Sequence, residues 1–412
     1  MEDKITKITA EEIKDSRGNP TIKVTAWAGN ISGSFAVPSG ASTGVHEAHE
    51  LRDTDGRGVK KAIENVNNII HHTLVGQNVL NQKEIDDILI RLDGTPNKDN
   101  LGGNAMIGTS IACVKLAATI SGVPVFEYLR KIYEIKPSRS VPRLFMNMLE
   151  GGKHAGNQLS FQEYLIVPET DDVEEAVQCG IRVQNTLEKI LKEELGFSAI
   201  PRGHEGGLAP EINLVHLPLV YLQKAIRENN FEGKVKIALD VAASSFFIPV
   251  RPGGNDSYQV DGKNISRDGL IALYGSLIKE FDLISIEDPF EQEDFDSFAK
   301  LGKKNPKLLV VGDDLTVTNK ALLERAISQK SINALIIKPN QIGTLTETLE
   351  VMRLGREAEI KLIISHRGEE TYDDFIANLA FAYGCFGLKA GSPTKSERMV
   401  KYQKLINLSK HN

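Results

Sequence analysis

The chain has 412 residues, 41% of them apolar and 25% charged, the composition of a globular protein with a sizeable core. Its 49 Lys and Arg against 55 Asp and Glu give a net charge of −6, which argues against a nucleic-acid binder resting on a basic surface and still allows a local cationic site for a small anion. Three scattered cysteines, Cys113, Cys179 and Cys385, supply neither a disulfide framework nor zinc-ligand spacing. The polar start MEDKITKITAEEIKDSRGNP lacks a leader's apolar core, and no run approaches the roughly 18 apolar residues of a membrane span. The expectation is a reduced, cytoplasmic protein without a membrane span.

In chain order, alternating stretches such as Thr21 to Trp27, broken by Arg17-Gly18-Asn19-Pro20, predict an antiparallel meander. PSGASTGVHE (38–47) is rich in Gly and Ser and reads as a mobile loop. Helices are expected around 57–75, 81–91 and 104–120, the last with small residues suited to close packing. KIYEIKPSRSVP (131–142) carries two prolines and is the best linker candidate, dividing an N-terminal α+β domain (1–136) from the remainder (137–412). Beyond it, apolar runs at 235–241, 282–289, 307–314, 334–340, 361–367 and 386–391 alternate with helical stretches near 267–281, 294–302, 319–328, 344–357, 374–383 and 395–408. Such alternation means parallel strands with crossover helices. With upstream strand candidates at 142–149, 163–167 and 199–204, the count points to a (β/α)8 barrel.

The late runs end in polar or charged residues: Asp240, Glu287 with Asp288, Asp313 with Asp314, Lys338, His366 with Arg367, and Lys389. Charges are costly inside parallel strands but can converge at the C-terminal mouth, where barrel active sites lie. Asp240, Glu287 and Asp313 are hard oxygen donors that would repel one another unless a cation neutralised them, and the absence of Cys and His from the trio favours magnesium over zinc. Lys338, His366, Arg367 and Lys389 supply the positive side. Arg367 could grip a phosphate or carboxylate bidentately. A lysine beside a cation should lose its proton more readily and could act as a base.

These residues sit in stretches that resemble the enolase family over nearly the whole chain. The matching stretches include DSRGNPT (15–21), PSGASTG (38–44), GGKHAGN (151–157), QEYLIVP (162–168), EGGLAP (205–210), ALDVAAS (238–244), SIEDPF (285–290), VGDDLTVTN (311–319), NQIGTLTE (340–347), SHR (365–367) and SERMVKYQKL (396–405). The resemblance implies an enolase-type α/β fold: an N-terminal α+β capping domain and a (β/α)8 barrel whose second strand runs antiparallel. The activity it implies is the reversible, magnesium-dependent dehydration of 2-phosphoglycerate to phosphoenolpyruvate. Sites of this superfamily pair a Lys or His base with one or two magnesium ions.

Residue by residue, the resemblance makes Asp240, Glu287 and Asp313 the ligands of one Mg2+ and Ser42 the loop residue that joins a second. Lys338 matches the general base, Lys389 the lysine that stabilises the enolate, and Glu205 the general acid with Glu163 beside it. Gln162 and His154 lie near the substrate, and Arg367, with His366 and Gly368 beside it, binds the phosphate. A like charge on Glu163 should keep Glu205 protonated. Arg17-Gly18-Asn19-Pro20 lies at the dimer interface in the family, so a homodimer is expected. Asp288 and Asp314 read as supporting or helix-capping groups, and GEETYDD (368–374) as an acidic helix start. The sequence departs from the family at His204, Ser245, Gly368, Glu369 and Ala390. Glu369 would weaken phosphate binding if it pointed inward. Two rival readings are an enolase-like hydratase or dehydratase of a related anion, such as a phosphonate, and a non-catalytic scaffold.

Overall fold

The computed structural model describes residues 3–40, 44, 46–136, 141–249 and 256–410. Ser42, part of the linker and the tip of the 38–47 loop lie outside them.

The chain opens with a three-stranded antiparallel sheet, β1 (Lys7–Lys14), β2 (Pro20–Ala28) and β3 (Ile31–Ala36). The β1–β2 turn is built by Asp15, whose Oδ1 accepts the N–H groups of Arg17 (2.8 Å) and Asn19 (3.0 Å), with Gly18 at φ +83° as a left-handed turn requires. The helix Gly103–Ile120 lies across this sheet. A Cβ on Gly33 would fall 2.2 Å from the Leu116 backbone nitrogen, so only glycine permits that approach. By length and composition this helix could cross a membrane, contrary to the reading that no run comes close, yet 83% of it is buried inside the protein. It is a core helix, apolar all round because it is covered all round.

The helix expected over 57–75 forms with an interruption: Lys60–Glu64 and His71–Leu74 flank a wider π-turn, Asn65–Ile70. The side chains it presents complete the open edge of β1. Asn67 Oδ1 accepts the Ala10 N–H, Asn67 Nδ2 donates to the Ala10 carbonyl, and His71 Nδ1 accepts the Ile8 N–H.

The second region is a closed eight-stranded barrel. Its strands are β4 (Arg143–Glu150), β5 (Glu163–Pro168) and β6 (Val235–Asp240), followed, after a small sheet of β7 (Phe247–Ile248), β8 (Ser257–Val260) and β9 (Lys263–Ile265), by β10 (Leu283–Glu287), β11 (Leu309–Gly312), β12 (Ala334–Ile337), β13 (Lys361–Ser365) and β14 (Gly387–Lys389). Around the barrel the order is β10-β11-β12-β13-β14-β4-β5-β6. β5 is antiparallel to both its neighbours, and the other pairs are parallel. Phe145, Leu165, Val167, Ala238, Val311, Ala334, Ile336 and Ile363 fill the interior, so it is a packed core and not a pore.

Six of the helices outside the barrel fall within two residues of the expected stretches, from Arg267–Phe281 to Ser396–Ser409. Several start on side-chain caps, with Ser266, Asp294, Asn319 and Thr344 accepting first-turn N–H groups. Two further helices, Val173–Leu195 and Leu217–Glu228, and the β7–β9 sheet were not expected from the sequence. The strand expected at 199–204 does not form. That segment is a loop with one isolated bridge, Arg202 to Leu208, because Pro201 lacks an N–H and the glycines at 203, 206 and 207 turn the chain back.

The N-terminal elements dock on the barrel through polar anchors. Lys98 Nζ lies 2.8 Å from Glu347 and Lys115 Nζ 2.6 Å from Asp373. The buried Asp86 carboxylate accepts from Thr346 N–H (2.9 Å), Thr346 Oγ1 (2.6 Å) and Gln82 Nε2 (2.9 Å).

Candidate active site

Strand geometry collects the expected residues at one end of the barrel. Asp240, Glu287 and Lys389 are the last residues of β6, β10 and β14, and Asp313, Lys338 and His366 each follow the last residue of their strands. β5 runs the other way, so its first residue, Glu163, stands at the same mouth, opposite Asp240 in register. His154, Gln162, Glu205, Arg367 and Gly368 join them around one pocket. Glu287 reaches it through Lys389.

One half of the site is a lattice of carboxylates and ammonium groups. Lys389 Nζ donates to Asp240 Oδ2 (2.8 Å) and to both oxygens of Glu287 (2.9 Å), and lies 3.3 Å from Glu163 Oε1. Lys338 Nζ pairs with Asp313 Oδ2, and Gln341 Nε2 donates to Asp313 Oδ1 at 3.1 Å. Burial and the neighbouring Asp240 push Glu287 well above the usual carboxylate range, the behaviour of anions crowded together in a dry place. Burial works against the charge on Lys338, but the Asp313 carboxylate outweighs it and raises the lysine above its ordinary value. The expected depression belongs to a lysine beside a bound cation; here its nearest neighbour is the Asp313 anion.

Three buried carboxylates on adjacent strand ends make a donor set that suits a hard divalent cation. Asp288, Asp313 and Asp314 also bring oxygens within 4.8 Å of one another, but both Asp288 oxygens are taken, accepting the N–H groups of Asp313 (3.0 Å) and Asp314 (2.7 Å). Asp288 therefore orients Asp313, as expected of a supporting group. Asp314 caps no helix; burial beside Asp313 raises it to about 7, and Asn319 caps the helix that follows.

The other half holds the glutamate pair. His154 Nδ1 sits 3.5 Å from Glu163 and 3.6 Å from Glu205. Glu205 Oε2 accepts from Asn147 Nδ2 (3.1 Å) and faces His366 Nε2 at 3.2 Å. Arg398 Nη1 lies 2.5 Å from His366 Nδ1. An arginine can only donate, so His366 Nδ1 carries the lone pair and Nε2–H points at Glu205. Burial drives His366 down to about 4, which keeps this neutral tautomer. Burial would raise Glu205, but His366, His154 and Arg398 outweigh it and hold the carboxyl well below the usual range. Burial and the Glu205 charge push Glu163 well up. The two carboxyls are thus pushed apart, Glu163 upward and Glu205 downward, the opposite sense to the sequence expectation.

On the anion side, Arg367 is 4% exposed. Its guanidinium donates to Asn340 Oδ1 (2.9 Å) and pairs with Glu47 Oε2 (2.9 Å). Glu369 points away from the pocket: its side chain accepts from Arg17 Nη1 (2.9 Å) and Asn19 Nδ2 (3.2 Å), and its backbone pairs with Ser39. Ser245 is exposed. Glu370 is no mere helix start; it is buried, accepts the Arg367 N–H and pairs with Lys401 at 2.7 Å.

Comparison with known proteins identifies the family. The family described as "Enolase, N-terminal domain" matches residues 5–129, and "Enolase, C-terminal TIM barrel domain" matches residues 138–411. The chain belongs to the enolase family. It is similar to the enolase of Methanothrix thermoacetophila (43% identical over 409 residues, 98% of this chain and 95% of that one). It is also similar to enolase B of Dictyostelium discoideum (42% over 421 residues, covering 98% and 94%) and the enolase of Methanocaldococcus jannaschii (42% over 410 residues, covering 98% and 94%). Enolases are lyases, phosphopyruvate hydratases, and this chain is one of them. The family depends on a metal ion, which the acidic groups at this mouth could hold.

Glu47, Asn147, Glu150, Asn340, Gln341 and Arg398 also serve the site and were not singled out in the sequence. Glu150 carried a usable signal. It is a charged residue at a strand end, one position beyond the expected 142–149 strand.

Proposed function

We propose that this enolase removes the α-proton of 2-phosphoglycerate with Lys338 and expels the β-hydroxyl as water with a proton from the Glu163–Glu205 pair. The observation that carries the reading is the division of the mouth. Lysines and metal-type carboxylates from β6, β10, β11, β12 and β14 line one side, and the glutamate pair from β5 and the 203–207 turn lines the other. A proton alpha to a carboxylate is weakly acidic because its loss places a second charge on that group. Lys389, buried among Asp240, Glu287 and Glu163, meets that charge with an ammonium fixed in advance. Two Mg2+ ions, one on Asp240, Glu287 and Asp313 and one joined by Ser42, supply further positive charge when bound. Lys338 would take the proton at Nζ as the free amine, having first given its own proton to solvent when a cation held by Asp313 replaces the lysine as that carboxylate's partner. On the far side the interacting glutamates share the proton that hydroxide needs to leave, with His154 within reach of both. Arg367 exchanges its Glu47 partner for the substrate phosphate, with the Gly368 N–H beside it.

Two of the departures from the family pattern leave the pocket untouched, since Glu369 is paired with Arg17 outside it and Ser245 faces solvent. We further propose a homodimer in the cytoplasm; the three cysteines are free buried thiols, which is compatible with a reducing compartment. The test is to mix protein, 2-phosphoglycerate and Mg2+ and follow phosphoenolpyruvate by ultraviolet absorbance. Turnover should vanish with a chelator and in Lys338→Ala. A Lys338→Ala variant that still turns over would remove the base assignment, and a chelated sample that still turns over would remove the metal.

A further inference from the structure

Glu205 is carried by the turn 203–207, and that turn is wrapped around the side chain of Glu150, the last residue of β4. Glu150 is 0% exposed. Its Oε1 accepts the N–H groups of Glu205 (3.2 Å) and Gly207 (2.5 Å), and Oε2 also accepts from Glu205 N–H (3.2 Å). The Glu150 backbone holds the same region, its N–H donating to the Leu208 carbonyl (2.8 Å) and its carbonyl accepting from Asn157 Nδ2 (2.9 Å). A Cβ on Gly203 would fall 2.1 Å from Glu150 Oε2, and one on Gly207 2.9 Å from Oε1. Both glycines leave the space that the carboxylate fills. Among the described residues Glu150 forms no ion pair, and burial together with the Glu205 charge raises it to about 8. A buried carboxyl group is an expensive way to satisfy two backbone N–H groups, and these two belong to the turn that aims Glu205.

We propose that Glu150 is a positioning residue for proton donation: through the Glu205 and Gly207 N–H groups it fixes the 203–207 turn so that the Glu205 carboxyl faces Glu163, His154 and His366 across the barrel mouth. The proposal rests on Glu205 belonging to the acid side, as argued above.

The two halves of the reaction can be read separately. In D2O, exchange at the α-carbon breaks the C–H bond, passes the proton to Lys338 and returns a solvent-derived deuteron, without the acid. Dehydration also breaks the β-carbon–oxygen bond and needs the acid's proton. Both rates are measured for the full-length protein with Mg2+, for Glu150→Leu and for Glu205→Gln. A leucine fills a similar volume and presents no acceptor to the Glu205 and Gly207 N–H groups. Glu150→Leu should lower dehydration kcat at least 30-fold while exchange and KM stay within threefold, the same split as Glu205→Gln. If Glu150→Leu does not fold, Gly207→Ala, whose methyl presses on Oε1, should give that split. Dehydration within threefold of the parent, or equal loss of exchange and dehydration in the Glu150 variant, overturns the proposal while Glu205→Gln upholds the acid. A Glu205→Gln variant that loses both rates equally, or neither, overturns the acid assignment and the proposal with it.

Discussion

Asp86 offers a direct measure of how the N-terminal region is held against the barrel. Its carboxylate is 0% exposed and receives three donors, two from Thr346 on the barrel helix Leu345–Glu357 and one from Gln82. Burial nevertheless wins, raising the carboxyl from an ordinary 3.8 to about 6. The folded state therefore holds the proton more tightly than the unfolded chain. The stabilisation this gives is complete below 3.8 and is lost as pH rises through about 6. At roughly 1.36 kcal/mol per pH unit, the full loss is about 3 kcal/mol. Linkage places about 1.6 kcal/mol of it already at pH 5 and the rest by pH 8. Asp86→Asn keeps one acceptor oxygen and cannot ionise. The unfolding free energy of the parent minus that of the variant, from urea unfolding at matched pH, should therefore fall by about 1.4 kcal/mol between pH 5 and pH 8. Taking the difference cancels the titrations the two proteins share. A flat difference would refute the reasoning, showing that the Thr346 and Gln82 donors fully offset burial. A rising difference would show that they more than offset it.

Other outcomes follow from the site. Asp288→Asn puts an NH2 against the Asp313 or Asp314 N–H and should weaken Mg2+ binding about 10- to 100-fold in a calorimetric titration; unchanged affinity would mean that Asp313 is oriented by other groups. Arg367→Lys loses the planar fork and should raise KM for 2-phosphoglycerate about tenfold, or roughly 1.4 kcal/mol, and an unaltered KM would take the phosphate from Arg367. His366, driven to about 4, should stay neutral with its proton on Nε2 from pH 5 to 8; a nitrogen-15 spectrum showing it titrate near 6.5 would undo the Arg398 argument. Light scattering should give twice the chain mass for the proposed dimer, and a monomer would leave the 15–20 turn as a chain-internal clamp on Glu369.

Much of the architecture was legible because its signals are local. Helix periods, caps such as Ser266 and Asn319, and apolar runs ending in one charge depend on residues a few positions apart, so the nine expected helical stretches and all eight barrel strands stood where the pattern put them. The segment 199–204 misled for the converse reason. Its apolar start resembles a strand, but Pro201 and the glycines that admit Glu150 govern its path. The helix Gly103–Ile120 belongs to the same class, since only its packing against β2 and β3 separates a core helix from a membrane-like one.

The sequence by itself determined the inventory: which carboxylates, lysines and histidines exist, which end their strands, and which family pattern they follow. Only the tertiary structure decided their relations. Reversal of β5 brings Glu163, at a strand start, to the mouth formed by strand ends. The surroundings of Glu205, with His366, His154 and Arg398, shift it downward while Glu163 is shifted upward, and Asp313 shifts Lys338 upward. Glu369 turns to Arg17 and away from the pocket. A side chain's identity is written in the chain, but its proton affinity depends on the charges and dielectric around it, and those neighbours come from residues that are tens to hundreds of positions away.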